Sequence, residues 1–295
     1  MRSPQSGIFA LGTSSHAYLE FDAVGGADLL APIASLREPR TTMGGVNLVA
    51  GFRPEAWRAA APDDAPESLE GFNADLAGSE GFVMPATQHD AVLWLSGSSY
   101  DVVFDTARAA IKQLAGLATV AEETSGWPYQ HDRDLTGFID GSENPSLIEA
   151  PSLVLVPDGS PGAGGTVLLL QKWAHEASDW EALSVAEQEA VIGRTKADSV
   201  ELDDRPETSH VARTDQEEFG DIFRRNMPYG TVTEHGTMFV GFAATRAPLE
   251  RMLESMAGRV SGERDALTRF TRPLTGAYYF VPSGESLLRF GPSPG

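Results

Sequence analysis

A single carboxylate held in a glycine-rich turn is the most chemically pointed feature of this chain. Residues 137 to 145 read Gly137-Phe138-Ile139-Asp140-Gly141-Ser142-Glu143-Asn144-Pro145. Glycine admits positive φ and close approach of the main chain to a flat ligand, and proline stops a following helix. The stretch can therefore aim Asp140 at a bound group. An Asp-Gly turn joining two strands is the plain alternative, and a common one. Imidazoles for a metal or acid–base site come from His16, His89, His131, His175, His210 and His235. His131-Asp132-Arg133-Asp134 places imidazole and carboxylate close together, as a facial metal triad would. A second histidine at suitable spacing is missing, so a solvated charged turn is the better account of that run.

Composition narrows the chemistry further. The 295 residues include no cysteine, which excludes disulfides, iron–sulfur clusters and any thiolate ligand. A formal charge of −20 argues against a nucleic-acid partner, because a phosphate backbone needs a basic surface. The same charge would favour cationic over anionic small partners by long-range steering, although solubility alone also explains it. No run approaches the roughly 18 to 20 apolar residues that a membrane helix needs, and no secretory or twin-arginine signal opens the chain. A cytoplasmic location is the expectation.

The elements that must position these residues mix strands and helices in both halves. Strands are expected at 16–21, 45–52, 91–96, 166–173, 237–243 and 277–281. Helices are expected at 27–36 and at 104–117, the latter with Phe104, Ala107, Ile111 and Leu114 on one stripe. Ser184 and Glu187 form a capping box that opens a helix running toward Lys196. Pro248 starts another helix, which Gly258 ends. The acidic stretch 61–70 reads as a surface loop, and glycine-rich 158–165 as a hairpin loop. That glycine run lacks a Gly-Lys-Ser/Thr ending and a following helix, which rules out a phosphate-binding loop.

The segment around Asp140 resembles the Gly-Phe-x-Asp-Gly-x-Glu-Asn-Pro signature of the dye-decolorising peroxidases, a haem family. Thr208-Ser209-His210-Val211-Ala212-Arg213-Thr214 resembles the family's proximal segment. Fourteen residues beyond His210, Arg224-Arg225-Asn226-Met227-Pro228-Tyr229-Gly230 resembles its distal arginine segment. Pro4-Gln5-Ser6-Gly7-Ile8 and Thr275-Gly276-Ala277-Tyr278-Tyr279-Phe280-Val281-Pro282 are also similar, so the match runs in order from near residue 4 to near residue 284.

The resemblance implies an α+β fold of two ferredoxin-like units with antiparallel sheets, 1–145 and 146–295, in a dimeric α/β-barrel-like arrangement. One non-covalent haem b per chain would be held mainly by the C-terminal half. With no cysteine in the chain, histidine is the natural axial ligand, and the resemblance makes His210 that metal ligand. Asp265 would accept its other N–H, and Arg194 would face a haem propionate, with Gly141 and Ser142 also at the cofactor. Asp140, Arg224 and Asn226 are the implied catalytic set. The carboxylate would move a proton between the oxygens of hydrogen peroxide, the arginine would favour the developing charge, and the amide would position the ligand. The implied activity reduces hydrogen peroxide through a ferryl compound I and oxidises small organic donors such as dyes and phenols by one-electron steps. Haem carriage or iron handling with incidental peroxidase turnover is the alternative, but passive binding needs neither Asp140 nor Arg224. Trp127, Trp173, Trp180, Tyr229 and Tyr278 are available as radical relays and none is assigned. The length suits the shorter cytoplasmic bacterial group and a homo-oligomer, dimer or hexamer. Leu287-Leu288-Arg289-Phe290-Gly291 is a poor match to an encapsulin-targeting tail, so encapsulation is not expected.

Overall fold

Long apolar runs with bulky or β-branched residues become strands buried on both faces. The computed structural model describes residues 2–36, 45–67 and 69–291. Its strands are β1 (Ser15–Ala23), β2 (Val46–Phe52), β3 (Leu76–Ala77), β4 (Val83–Met84), β5 (Ala91–Gly97), β6 (Ala118–Gly126), β7 (Thr166–His175), β8 (Phe223–Arg224), β9 (Met227–Gly230), β10 (His235–Ala243), β11 (Thr271–Pro273) and β12 (Ala277–Val281). Eight of them follow the order β7-β12-β2-β5-β1-β6-β9-β10, and β10 pairs back onto β7 to close a barrel. Every pairing is antiparallel, as expected. Two seams are thin: β2 meets β12 only at Phe52 and Phe280, and β6 meets β9 only at Gly126 and Tyr229.

Strand alternation divides the side chains into two cores. Tyr18, Trp94, Leu168, Leu170, Val240, Phe242 and Tyr279 fill the barrel interior. Leu19, Phe21, Leu93, Leu95, Val167 and Leu169 face outward and meet the helices. A barrel of eight strands is just wide enough for side chains to fill. With apolar residues wanted on both faces, these strands read as continuous apolar runs rather than alternating ones.

Several local expectations need correction. The long helix is Tyr100–Gln113, and its buried stripe is Val103, Ala107, Ala110 and Leu114. Phe104 is 44% exposed and lies between Tyr100 and Arg108 at the surface. Both stripes satisfy the helical period, and packing on β1 and β5 selects the one with small side chains. Only Leu30–Ala34 of the 27–36 stretch is α-helical. The capping box at Ser184 and Glu187 forms, but the helix covers Val185–Ile192 and stops at Gly193, whose φ of 93° is left-handed. The helix near Pro248 begins two residues earlier, as Arg246–Met256. The 61–70 stretch is not simply a surface loop: it holds a 3-10 turn at Pro62–Asp64, with Asp64 buried beneath Arg2 and Arg289. The glycine-rich 158–165 segment joins the helix Ala150–Val154 to β7, and it closes like a hairpin: the Val156 amide donates to the Gly165 carbonyl at 2.8 Å and the Gly164 amide to the Val156 carbonyl at 2.9 Å.

Candidate functional site

On the outward face of β7 the pleat presents Leu169, Gln171, Trp173 and His175, and β10 presents Thr237 and Phe239. Helix Arg246–Met256 lies over this surface with Leu249, Met252, Leu253 and Met256 at helical spacing. Between sheet and helix opens a cavity. Its walls are mainly apolar, and its polar lining includes Asp134, Asp140, Ser142, Glu143, Arg194, His210, Arg224 and Asn226. A drug-sized or cofactor-sized pocket has this character: an apolar slot with a few placed polar groups.

His210 is the first residue of a short helix, His210–Arg213, capped by Ser209. Its Nδ1 lies 2.6 Å from Asp265 Oδ2, and Asp265 is fully buried. The other carboxylate oxygen of Asp265 accepts from the Leu267 amide at 2.8 Å, which fixes the acid in place. Burial lowers the pKa of His210, but the Asp265 charge and hydrogen bond outweigh it, and the net shift is upward. With Nδ1 committed to Asp265, the remaining ring nitrogen is the one available to a ligand.

The signature turn is tied directly to the arginine strand. Asn144 Nδ2 donates to the Arg224 carbonyl at 2.9 Å, and the Arg224 amide donates to Asn144 Oδ1 at 2.8 Å. This two-way clamp sets Asp140 and Arg224 in one frame. Gly141, at φ 75°, passes beneath it; a Cβ there would lie 3.0 Å from Asn144 Nδ2. Strand alternation separates the adjacent arginines. Arg224 lines the cavity with its Nε buried and unpartnered. Arg225 turns away to the carbonyls of Ile8 and Ala10 and lies over Trp94. Asn226 Oδ1 accepts from the Val240 amide at 3.0 Å, which leaves its NH2 group for the cavity. Arg194 follows the Gly193 stop and donates to Glu143 at 2.7 Å and to the Ser199 carbonyl at 2.8 Å.

Of the residues singled out from sequence, Asp140, Ser142, Arg194, His210, Arg224 and Asn226 share this cavity. Asp265 stands behind His210, and Gly141 lines a second, outer cavity that shares Asp134, Asp140, Arg224, Asn226 and Thr237 with the first. The run 131–134 is the expected solvated turn at His131 and Asp132, which are exposed, but not at Arg133 and Asp134, which are half-buried. Arg133 donates to the carbonyls of Gly137 at 2.7 Å and Lys196 at 2.8 Å. Asp134 faces both cavities, and burial, reinforced by the charge of Asp140, raises its pKa to about 6. Among the described residues no three metal-type ligands converge there. Sequence reading missed Asp134 and Asn144; the only signal was their closeness to Asp140.

Two family models match the chain: "Dyp-type peroxidase, N-terminal" over residues 28–128 and "Dyp-type peroxidase, C-terminal" over residues 131–286. A dye-decolorizing peroxidase of Rhodococcus erythropolis is 37% identical over 273 residues, covering 88% of this chain and 80% of that protein. One from Mycobacterium tuberculosis is 34% identical, covering 97% of this chain and 87% of that one. Among solved structures, a dye-decolorizing protein from V. cholerae superposes with a TM-score of 0.88 at 33% identity, covering 97% and 99% of the two chains. A variant of Rhodococcus jostii DypB in complex with heme gives a TM-score of 0.87 at 32% identity, covering 98% and 99%.

Proposed function

The chain belongs to the Dyp-type peroxidase family and is a haem-dependent peroxidase, and from that premise we propose roles for its cavity residues. His210 is the axial ligand, held by Asp265; Asp140, Arg224 and Asn226 act on hydrogen peroxide. The observation that carries this reading is that one cavity receives His210, with Nδ1 engaged by a buried carboxylate, together with Asp140 and an arginine whose Nε is unpartnered.

The donor set fits haem on the chemistry of its residues. The slot is apolar along the helix Arg246–Met256 and on β10 at Phe239, as a porphyrin face requires. Imidazole supplies the axial nitrogen without cysteine, and Asp265 fixes its tautomer and raises its basicity. Arg194 and Arg224 each retain a buried Nε without a partner, suited to anionic groups at the cofactor edge or on the peroxide side. Ser142 borders the same cavity, and Gly141 the outer one beside it. Bound haem supplies the redox chemistry that accepts electrons from organic donors and passes them to peroxide.

Asp140 takes a proton from one oxygen of hydrogen peroxide and returns it to the other, which leaves as water; the two electrons that cleave the O–O bond would be supplied by the bound haem. Arg224 stabilises the negative charge that develops as the proton moves. Asn226, its carbonyl held by Val240, orients the peroxide or a water through its NH2 group. The donors in this reading are small organic reductants such as dyes and phenols, and the charge of −20 favours cationic ones at low salt. That charge also speaks against a nucleic-acid partner.

The two-unit reading, 1–145 and 146–295, is supported by strand order. Within the barrel, β6-β1-β5-β2 and β12-β7-β10-β9 each follow the 4-1-3-2 sequence of a ferredoxin-like unit, and in the strand ladder the two thin seams join them. The C-terminal unit supplies both β7 and β10 and all the helices over the cavity, consistent with haem held mainly by that half. No helix among the described residues is long and apolar enough to cross a membrane; a cytoplasmic homo-oligomer completes the proposal.

Rapid mixing of the haem-loaded protein with hydrogen peroxide tests these roles. Asp140→Asn should slow the reaction by roughly 10²- to 10⁴-fold. Arg224→Leu should slow it by roughly 10²- to 10³-fold. Rates within twofold of wild type in both variants would refute the assignment.

A further inference from the structure

We propose that Thr237 is a fourth hydrogen-bonding group on the peroxide side of the cavity, and that His175 is a positioning residue that fixes its hydroxyl. The inference rests on the roles proposed above for Asp140, Arg224 and Asn226.

Register places Thr237 beside those groups. β10 pairs with β8 and β9 in one continuous register, with Gly241 opposite Arg224, Met238 opposite Met227 and Thr237 opposite Pro228. Asn226 therefore stands opposite Phe239. Opposed residues share a face, and so do alternate ones along a strand. Arg224, Asn226, Thr237 and Phe239 all project from the outer face of the barrel into the cavity. Thr237 and Asn226 are diagonal neighbours there, roughly 7–8 Å apart at the main chain, a gap that one water-sized molecule can bridge. The inner and outer cavities share Asp134, Asp140, Arg224, Asn226 and Thr237, whereas His210 lines the inner one alone. Thr237 thus stands with the groups that act on peroxide and apart from the axial ligand.

His175 completes a diagonal row across three strands. Thr237 lies opposite Trp173 on β7, which puts His175 two residues along on the same face. Its Nε2 is 3.0 Å from Thr237 Oγ1. A β-branched side chain has few χ1 choices, and this contact holds the hydroxyl in one of them. The imidazole packs edge-on to His235, with ring centres 6.3 Å apart, and His235 Nδ1 lies 3.2 Å from the Thr231 carbonyl. Burial, with the charge of His235 added, lowers the pKa of His175 to about 4. The ring is therefore neutral at working pH and brings no charge to the site. Nε2 of a neutral imidazole either donates or accepts, and in both cases the Thr237 hydroxyl keeps a hydrogen-bonding position for the cavity. Hydrogen peroxide both donates and accepts, so it can use either.

Thr237 holds one end of the peroxide while Asn226 and Asp140 take the rest of it, so that the oxygen losing its proton faces the carboxylate. Proton transfer stays with Asp140, and Thr237 neither gains nor loses a proton. One hydrogen bond between neutral groups changes the rate by roughly 3- to 10-fold.

Two readouts test the proposal. In cofactor-free protein carrying 15N-labelled histidine, Thr237→Val should move the Nε2 resonance of His175 and leave that of His210 in place. Thr237→Ser should keep the wild-type position. In the haem-loaded protein, Thr237→Val should lower the second-order rate constant with hydrogen peroxide by roughly 3- to 10-fold, and Thr237→Ser should recover most of the loss. His175→Phe should lower it too, but add nothing in the Thr237→Val background, because it acts through the hydroxyl. An unmoved His175 resonance overturns the pair. A Thr237→Val rate within twofold of wild type, or a His175→Phe effect equally large without the hydroxyl, overturns the role. Thr237→Ala against Thr237→Ser gives the same comparison if Thr237→Val does not fold. Rates near wild type in Asp140→Asn and Arg224→Leu would bring down the earlier assignment instead, and the NMR result on the His175–Thr237 pair stands apart from it.

Discussion

Removing the buried partner of His210 should reveal how firmly the axial imidazole is held. His210 Nδ1 and Asp265 Oδ2 are 2.6 Å apart, a charge-assisted hydrogen bond inside the protein. Such bonds contribute roughly 1.5–3 kcal/mol. Asp265 also accepts from the Leu267 amide as the cap of the Ala266–Arg269 turn, which adds about 1 kcal/mol. Asp265→Ala loses both and should destabilise the cofactor-free protein by about 3 kcal/mol, and Asp265→Asn, which keeps the cap, by about half of that. A double-mutant cycle with His210→Ala, measured by urea unfolding, should give a coupling of roughly 1.5–3 kcal/mol near pH 6. The pKa of His210 is raised in the folded state. Its stabilisation is therefore fully present below the unfolded value of about 6.5 and is lost as pH rises through the folded value. A coupling near zero, or one that grows with pH, would refute the reasoning.

Two further outcomes follow from buried groups and backbone geometry. Glu20 is 2% exposed and accepts from the Tyr279 hydroxyl at 2.5 Å inside the barrel; burial raises its pKa from 4.5 to about 7. An acid raised in this way binds more protons folded than unfolded, so wild-type stability falls as pH rises from about 4.5 to about 7. Relative to wild type, Glu20→Gln should gain roughly 2–3 kcal/mol between pH 5 and pH 8, and parallel urea stability curves would contradict this. Gly193 has φ 93°, and a Cβ there would lie 2.8 Å from Ser209 Oγ, the cap of the His210 helix. Gly193→Ala should cost roughly 1–3 kcal/mol and weaken haem binding, seen by thermal unfolding and haem titration; an unchanged Tm would count against the strain.

How much was legible in advance depended on whether a residue's partner lay near it in sequence. The strands were readable because Val46–Phe52, Ala91–Gly97 and Ala277–Val281 are nearly continuous apolar runs, broken only by Asn47 and Ser96, and the Ser184–Glu187 box because both partners lie within one turn. Phe104 was misplaced because two stripes on one helix fit the same period, and only the sheet beneath decides between them. The two halves of the barrel join through single pairs, Phe52 with Phe280 and Gly126 with Tyr229, that no local pattern announces. Asp140, His210 and Arg224 stood out through motif resemblance rather than physical necessity. Asp134 and Asn144 did not: Asp134 reaches the cavity through its pairing with Phe138, and Asn144 acts through a clamp to Arg224, 80 residues away. Arg194 lies past the left-handed stop at Gly193, so it turns to Glu143 instead of capping the helix.

The central claim is that His210 holds the iron of a haem that Asp140 and Arg224 serve. It is tested most directly by the absorption spectrum of haem-reconstituted wild type and His210→Ala, before and after one equivalent of hydrogen peroxide. The account predicts a Soret band in the wild type that shifts on peroxide addition, and a band altered or lost in the variant. Identical spectra in the two proteins would contradict it.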